Sequence, residues 1–217
     1  MSLYFEQFHL RCLSQASYMI GSGGVAAVVD PRRDVSTYMR EACRNGLRIG
    51  YVILTHLDAE LVSGHHELAQ VTGASVYAGA RSRARFRHVP LREHDEIRFG
   101  NCRLEFLETP GHTPESISIL VTDLERSAEP FAVLTGDTLL AGEVGRPPLS
   151  FERSPQELAA ELYASLLKFS GLGDEVEVCP AHGAGPRQGR STMGRERASN
   201  YALRARSRVE RKQLSGR

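Results

Sequence analysis

Histidine or aspartate stands at the end of each of four predicted strands. His56, His112, Asp137 and His182 occupy these positions, and the last three lie next to a glycine. One such histidine alone is usually a core or capping residue. Loops at one edge of a packed sheet can, however, bring several such side chains to one point. The four placements together therefore predict a cluster of metal-ligating or catalytic groups.

The order of strands and helices predicts the fold class. Apolar patterns and turn residues predict strands at 4–12, 16–20, 25–29, 49–54, 75–77, 96–99, 102–108, 117–122, 131–135 and 176–179. Helices are predicted after Asp34, at 67–71, after the capping sequence Ser154-Pro155-Gln156-Glu157, and at 194–212. Two β-rich halves, each followed by helices, fit an α/β protein with a four-layer αβ/βα sandwich better than a doubly wound Rossmann sheet.

Composition excludes several classes of protein. The net charge of +1 creates no global field that would recruit nucleic acid or acidic lipid, and no apolar run approaches the roughly 20 residues of a membrane span. Four cysteines without a CxxC pair, in a chain that opens on a predicted strand and not on a signal peptide, indicate reduced thiols and a cytoplasmic location. Cys43 and Cys102 lie on helix and strand patterns and are predicted to be buried.

Basic residues are concentrated at the C-terminal end. Residues 195–217 contain eight basic and two acidic side chains, which makes this segment strongly positive while the rest of the chain is slightly negative. Such a segment is typical of a solvated helix face or a linker. We therefore predict one domain over residues 1–194, followed by a basic helix and tail over residues 195–217 that packs on this domain or extends from it.

Four segments resemble the motifs of the metallo-β-lactamase superfamily, which carries H-x-H-x-D-H, then G-H-T, G-D and a final G-H or A-H. They are residues 55–61, Gly111-His112-Thr113, Gly136-Asp137 and Ala181-His182. Residues 4–8, 30–34, 142–146, 182–185 and 197–203 further resemble the persulfide dioxygenase branch, in particular the N-terminal domain of its fusions with rhodanese domains. The resemblance implies the metallo-β-lactamase fold, which is a four-layer sandwich.

The H-x-H-x-D-H motif is degraded in this chain. Asp58 stands in place of its second histidine, Glu60 in place of its aspartate and Leu61 in place of its last histidine. Because leucine has no donor atom, the second metal of a dinuclear zinc hydrolase cannot bind in the usual way. The sequence therefore disfavours β-lactamase or glyoxalase II chemistry with two bridged zinc ions.

The resemblance to the dioxygenase branch implies a mononuclear iron enzyme. Its three protein ligands correspond to His56, His112 and Asp137, and a triad of two histidines and one carboxylate leaves positions on Fe(II) for substrate and O₂. The implied reaction oxidises a low-molecular-weight thiol persulfide, such as glutathione persulfide, to sulfite. One Fe(II) per chain is expected, and the same ligands also suit zinc.

Further residues receive roles from the same resemblance. Asp58 and His182 are expected beside the ligands, where they hydrogen-bond to an imidazole or to bound water. Thr113 is expected to orient the loop after His112, and Arg146 to hold a substrate carboxylate. Two alternatives stay open for Asp58, namely a fourth metal ligand or a site without metal.

Partners and rival functions follow from the same comparison. Residues 185–189 contain no cysteine where rhodanese-fused relatives often carry sulfur. A persulfide must therefore come from a small thiol or from a separate rhodanese-type sulfurtransferase. Neither nucleic acid nor a membrane is expected as a partner, and a homodimer is compatible with this interpretation. The rival functions are a mononuclear zinc hydrolase of a thioester or lactone, and a metal-poor, non-catalytic member of the fold.

Overall fold

The computed structural model describes residues 3–10, 14–57, 63–146, 154–183 and 189–204. Cys12, Asp58, Glu60 and Leu61 lie outside these ranges, as do the stretch 184–188 and the end of the predicted C-terminal helix from residue 205 onwards.

Two six-stranded sheets form the centre of the molecule. The first sheet contains, in spatial order, β1 (Tyr4–Leu10), β2 (Gln15–Ser22), β3 (Val25–Val29), β4 (Arg48–Leu54), β5 (Ser75–Gly79) and β6 (Val89–Leu91). The second contains, in spatial order, β14 (Ser191–Thr192), β13 (Glu177–Pro180), β10 (Ala132–Gly136), β9 (Ile117–Asp123), β8 (Cys102–Glu108) and β7 (Glu96–Phe99).

Four helices and a small hairpin complete the described part of the fold. The helices are α1 (Ser36–Arg44), α2 (His65–Thr72), α3 (Pro155–Leu167) and α4 (Met193–Ser199), with a 3₁₀ turn at Lys168–Gly171 after α3. The hairpin consists of β11 (Leu139–Leu140) and β12 (Glu143–Val144). No helix in the described ranges is both long enough and apolar enough to cross a membrane.

Parallel pairing brings the carboxyl ends of several strands to the same edge. Strands β3, β4 and β5 are parallel neighbours in the first sheet, and β10 and β13 are parallel neighbours in the second. Asp30 directly follows β3 and Thr55 directly follows β4. Since parallel neighbours end at the same edge of a sheet, these two residues lie at one edge of the first sheet. In the same way, Asp137 directly follows β10 and Ala181 directly follows β13 at one edge of the second sheet. Asp30 and Asp137, on opposite sheets, both sit at the start of loops that form the candidate site.

The apolar residues of β3 show why the fold has four layers. Ala27 and Val29 lie in the core between the two sheets, whereas Ala26 and Val28 belong to the cluster that covers Tyr38 of α1. A strand with successive side chains on opposite faces, both of them apolar, must be buried on both sides. The same division occurs in the second sheet, where α3 covers the outer face. The predicted four-layer αβ/βα sandwich is therefore confirmed.

Helix α1 buries a narrower stripe than its sequence pattern predicts. Tyr38 and Ala42 are buried, but Met39 is 39% exposed and Cys43 is exposed, so the predicted burial of Cys43 is wrong. Spacings of three and four identify an apolar stripe without identifying its centre. Cys102 is buried as predicted, and this burial raises the pKa of its thiol to about 12.

Helix termini follow the sequence closely at α3 and less closely elsewhere. Ser154 Oγ accepts a hydrogen bond from the Glu157 amide, and a Glu157 carboxylate oxygen accepts one from the Ser154 amide, which completes the predicted capping box. Helix α1 begins one residue later than expected, with Val35 as its N-cap. The Asp34 carboxylate still accepts a hydrogen bond from the Ser36 amide at 3.2 Å.

The C-terminal helix is interrupted where the sequence predicts a continuous one. Helix α4 ends at Ser199, Asn200 has an extended backbone, and residues 201–204 are helical again. At this break the buried Asn200 side-chain amide donates to the carbonyl of Glu143 at 2.9 Å. The predicted division of the chain at 194/195 falls inside α4, and the two-part organisation stays a prediction.

Candidate metal centre

Three loops at one edge of the sandwich bring His56, His112 and Asp137 together. His56 follows β4, His112 lies between β8 and β9, and Asp137 follows β10. One ligand atom from each residue lies within 4.8 Å of those of the other two. Asp137 Oδ2 is 3.8 Å from His56 Nε2 and 3.6 Å from His112 Nε2.

A chain of hydrogen bonds fixes the proton of His56. Thr55 Oγ1 donates to Asp30 Oδ2 at 2.7 Å, so it accepts from the N–H at His56 Nδ1 at 2.9 Å. The lone pair of a neutral imidazole is then on Nε2. That atom is buried and has no hydrogen-bond partner among the described residues. An unpaired buried nitrogen is costly unless a ligand occupies the space before it.

His112 is oriented in the same sense by a backbone group. Its Nδ1 donates to the carbonyl oxygen of Arg146 at 2.8 Å, which places its lone pair on Nε2. Both histidines thus offer Nε2 beside the Asp137 carboxylate. Two neutral imidazoles and one carboxylate fit a divalent zinc or iron ion, and each imidazole has the outer hydrogen bond that metal-binding histidines require.

His182 holds Asp137 from the other side. Its Nδ1 donates to both carboxylate oxygens, at 2.9 Å and 2.8 Å. Burial alone would raise the pKa of Asp137, but this hydrogen bond and the three neighbouring histidines lower it below its ordinary value. Asp137 is therefore charged at neutral pH.

Asp30 is the last acceptor of the hydrogen-bond chain that begins at His56. It accepts hydrogen bonds from both the amide and the hydroxyl of Thr55, at 2.8 Å and 2.7 Å. Complete burial raises the pKa of Asp30, an effect that His56 and the two hydrogen bonds from Thr55 only partly offset. The carboxyl group acts as a fixed acceptor that orients Thr55 and, through it, His56.

Two glycines allow the loops to approach one another. Gly136 has a φ of +53°, and a Cβ there would lie 2.8 Å from Thr55 Oγ1. A Cβ on Gly145 would lie only 1.9 Å from the carbonyl oxygen of Asp137. Any side chain at either position would push Thr55 or Asp137 away from the cluster.

A buried carboxylate connects the C-terminal helix to the site. Glu196 of α4 is 2% exposed and accepts a hydrogen bond from the Gly142 amide at 2.8 Å. Asn200 binds both this carboxylate and the carbonyl of Glu143. These contacts hold the β11–β12 hairpin, which continues to the Arg146 carbonyl that orients His112.

The remaining predicted residues have separate positions. Thr113 forms a turn with Ser116, with 2.7 Å between the two hydroxyl oxygens. The Arg146 side chain is exposed and lines a cavity beside the cluster. Asp58 lies outside the described residues, so its predicted place beside the ligands stays a prediction.

Sequence reasoning missed four residues that support the cluster, namely Asp30, Thr55, Glu115 and Glu196. Glu115 accepts a hydrogen bond from the Leu57 amide at 2.9 Å and so ties the His56 loop to the His112 loop. The position of Asp30 directly after a buried strand, and of Thr55 directly before a candidate ligand, are signals that sequence can supply. Nothing in the local sequence distinguishes Glu115 or Glu196 from surface acids.

Comparison with known proteins identifies the family. A family model described as the metallo-beta-lactamase superfamily matches residues 10–182. The chain belongs to this superfamily. Members of this fold typically bind zinc or iron, in agreement with the donor set found at the strand ends.

Individual relatives add detail. A hydroxyacylglutathione hydrolase from Methylococcus capsulatus is 34% identical over 75% of this chain and 58% of its own length. A metallo-beta-lactamase from Staphylococcus aureus superposes with a TM-score of 0.85 at 35% identity, covering 94% of this chain and 64% of that one. ETHE1 from Myxococcus xanthus superposes with a TM-score of 0.79 at 29% identity, covering 91% of this chain and 83% of that one. The chain thus spans less than two thirds of the curated hydrolase.

These comparisons correct the predicted function. Curated relatives from several bacteria are hydroxyacylglutathione hydrolases, so the persulfide dioxygenase reaction predicted from the motifs is wrong. Membership of the superfamily is confirmed, whereas the assignment to the dioxygenase branch is not. The relatives favour the rival function, hydrolysis of a thioester.

The Asp30–Thr55–His56 chain leads to a first prediction. Thr55→Val keeps the shape of the side chain and removes the hydroxyl that accepts the proton of His56 Nδ1. Loss of such an outer hydrogen bond is expected to weaken metal binding by about 10–100-fold. Competition of the purified protein with a chromophoric zinc chelator measures this change.

Thr122→Val is the matched control, because Thr122 is equally buried but lies on β9 and accepts a hydrogen bond from Arg103. Its metal affinity is expected to equal that of the native protein. Equal affinities of the native and Thr55→Val proteins would contradict the assigned role of the hydroxyl.

Proposed function

We propose that this chain is a metal-dependent thioester hydrolase that holds one metal ion with His56, His112 and Asp137. The observation that carries the proposal is the buried Nε2 of His56, which has no partner in the described part of the chain and lies near two further donors. The similarity to hydroxyacylglutathione hydrolases supports the type of reaction.

The sequence supports a single metal ion. Asp58, Glu60 and Leu61 replace the residues from which the superfamily motif builds a second metal site, and Leu61 offers no donor atom. His182, at the last motif position, donates its Nδ1 proton to Asp137. These features support a single metal, with zinc or Fe(II) suited to the three donors. When bound, such an ion supplies a Lewis acid and lowers the pKa of water.

The residues of the chain prepare the site for that chemistry. Asp30 and Thr55 keep the proton of His56 on Nδ1, and the Arg146 carbonyl does the same for His112. The hydrogen bond from His182 keeps Asp137 in its charged form. The two Nε2 atoms and the Asp137 carboxylate are therefore oriented towards one another before any ligand arrives, so little reorganisation is required.

Thioesters suit a site of this kind because of their leaving group. The oxygen of water adds to the thioester carbonyl carbon, the C–S bond breaks, and the sulfur leaves as a thiolate. The products are a carboxylate, a thiol and one proton released to solvent. A thiol has a pKa of about 8.5, so the thiolate leaves without a proton donor at the sulfur, unlike the nitrogen of an amide.

A groove beside the cluster is suited to the thiol part of such a substrate. It has a volume of about 680 Å³ and lies between residues 142–146 and α3, with Leu162, Tyr163 and Tyr201 among its lining residues. Arg146 is exposed at its edge, and a guanidinium binds carboxylates through two parallel hydrogen bonds. S-acyl glutathione carries two carboxylates and one ammonium group on a flexible chain, and the lining of the groove combines apolar side chains with the guanidinium of Arg146 and the carboxylate of Glu143.

The ligand set leads to a second prediction. The metal-loaded native protein is expected to release thiol from a hydroxyacylglutathione. His112→Ala removes one of three donors and should lose most bound metal and activity. His182→Ala removes only a hydrogen bond to a ligand, so metal affinity should fall by about 10–100-fold and the metal should remain bound at saturating concentrations. Metal content by atomic emission and thiol release by a chromogenic reagent measure both effects.

His94→Ala is the control, because His94 is an exposed histidine before β7. Its Nδ1 lies 2.9 Å from Glu105 Oε1 on β8. It should match the native protein in both measurements. A fully metal-loaded native protein that releases no thiol would contradict the proposed reaction. Complete metal loss in the His182→Ala protein at saturating metal would contradict the ligand assignment.

The groove leads to a third prediction. Arg146→Ala removes the guanidinium but keeps the backbone carbonyl that orients His112. The KM for a hydroxyacylglutathione should rise about 10–100-fold with a similar kcat, since a hydrogen bond to a charged group contributes about 1.5–3 kcal/mol. Steady-state kinetics measure this separation of KM from kcat.

Two controls make this result specific. Arg98→Ala alters an exposed arginine paired with Glu96 on β7 and should leave KM unchanged. A thioester of N-acetylcysteamine has no carboxylate and no free amine, so Arg146→Ala should leave its hydrolysis unchanged. An unchanged KM for the glutathione thioester in the Arg146→Ala protein would show that Arg146 does not hold the substrate.

A further inference from the structure

A second groove lies on the first sheet's side of the molecule, away from the residues of the metal cluster. It has a volume of about 730 Å³ and lies between helix α2 and residues 86–89, with the start of β5 between them. His56, His112, Asp137 and Arg146 are not among its lining residues. Its volume falls within the range of about 300–1,000 Å³ that is usual for small-molecule sites.

Three rings that are inclined to one another line this groove. The ring centroid of Phe86 lies 4.3 Å from that of His65 and 5.6 Å from that of His88. All three residues line the groove, and all three are only partly buried. Burial lowers the pKa of the His65 imidazole, which favours its neutral form. The ring planes are inclined to one another by 42° and 64°, so a planar heterocycle can stack on the face of one ring and contact the edge of its neighbour.

Positive charge borders the same groove. Arg81, Arg83, Arg85 and Arg87 are exposed, and they alternate with the half-buried Ser82, Ala84, Phe86 and His88. Arg87 lines the groove, whereas Arg81 is paired with Glu108 at 3.2 Å. None of the groove's lining residues carries a carboxylate. The lining of the groove therefore carries positive charge at Arg87 and contains no carboxylate.

We propose that this groove binds a nucleotide, with its base packed against Phe86 and His65 and its phosphates held by Arg87. Guanidinium groups bind phosphate oxygens through paired hydrogen bonds, and aromatic rings stack on any of the nucleic-acid bases. The two features lie on adjacent residues, so a ligand whose ring is joined to a phosphate chain through a short linker, such as the ribose of a nucleotide, satisfies both. The site does not depend on the proposed hydrolase reaction.

Calorimetric titration with three probes tests the proposal. ADP contains both the base and the phosphates, adenosine only the base, and inorganic pyrophosphate only the phosphates. ADP is expected to bind about 10-fold or more tightly than either fragment, because each fragment lacks one set of contacts. Absence of ADP binding at millimolar concentration would overturn the proposal. If pyrophosphate binds as tightly as ADP, the rings do not contribute to binding. If adenosine binds as tightly as ADP, Arg87 does not contribute.

Variants locate the binding site. Arg87→Gln should weaken ADP about 10-fold or more and leave adenosine unchanged, whereas Phe86→Leu should weaken ADP and adenosine and leave pyrophosphate unchanged. Arg126→Gln is the control, since this arginine is 77% exposed on the turn after β9. His112→Ala should keep full ADP affinity, and loss of binding in that variant would place the nucleotide at the metal cluster instead. Circular dichroism confirms that each variant is folded.

Discussion

The candidate centre depends on two histidine rings that must both present an unprotonated Nε2 beside one carboxylate. A neutral imidazole carries a single proton, and the acceptor at Nδ1 decides which nitrogen keeps it. At His56 this acceptor is the Thr55 hydroxyl, which Asp30 holds in turn, and at His112 it is the Arg146 carbonyl. Each acceptor is held by contacts between different strands and loops, so the tertiary fold sets the protonation pattern of the site.

Those acceptors are in place only because the two sheets meet closely at one edge. Parallel pairing brings the ends of β3 and β4 together, and the contact of Gly136 with Thr55 joins this edge to the second sheet. The β11–β12 hairpin is held in turn by Glu196, whose buried carboxylate is fully engaged by the hairpin, Ser191 and Asn200. The helix that begins the basic C-terminal segment therefore contributes to the position of His112, although it contributes no residue to the cluster.

Sequence patterns predicted the sandwich, its long strands and the three cluster residues because each has a local signature. The run from Ile49 to Leu54 is apolar on both faces, and Ser154 starts a helix with its own capping residues. Strands of two or three residues, such as β11, β12 and β14, are too short to show a period. Buried acids such as Glu196 depend on distant partners. The function was predicted wrongly because the short segments that resemble the dioxygenase branch do not separate it from hydrolases of the same superfamily. Hydrolases and oxygenases can also share the same set of two histidines and one carboxylate.

The central claim is that one metal ion binds at His56, His112 and Asp137. Anomalous diffraction from crystals grown with zinc, and separately with Fe(II), tests it most directly, because the peaks count the ions and locate them. We expect a single peak at bonding distance, about 2.0–2.2 Å, from both Nε2 atoms and from one oxygen of Asp137. Two peaks about 3.5–4 Å apart, or one peak bound to His182 and not to Asp137, would contradict the account.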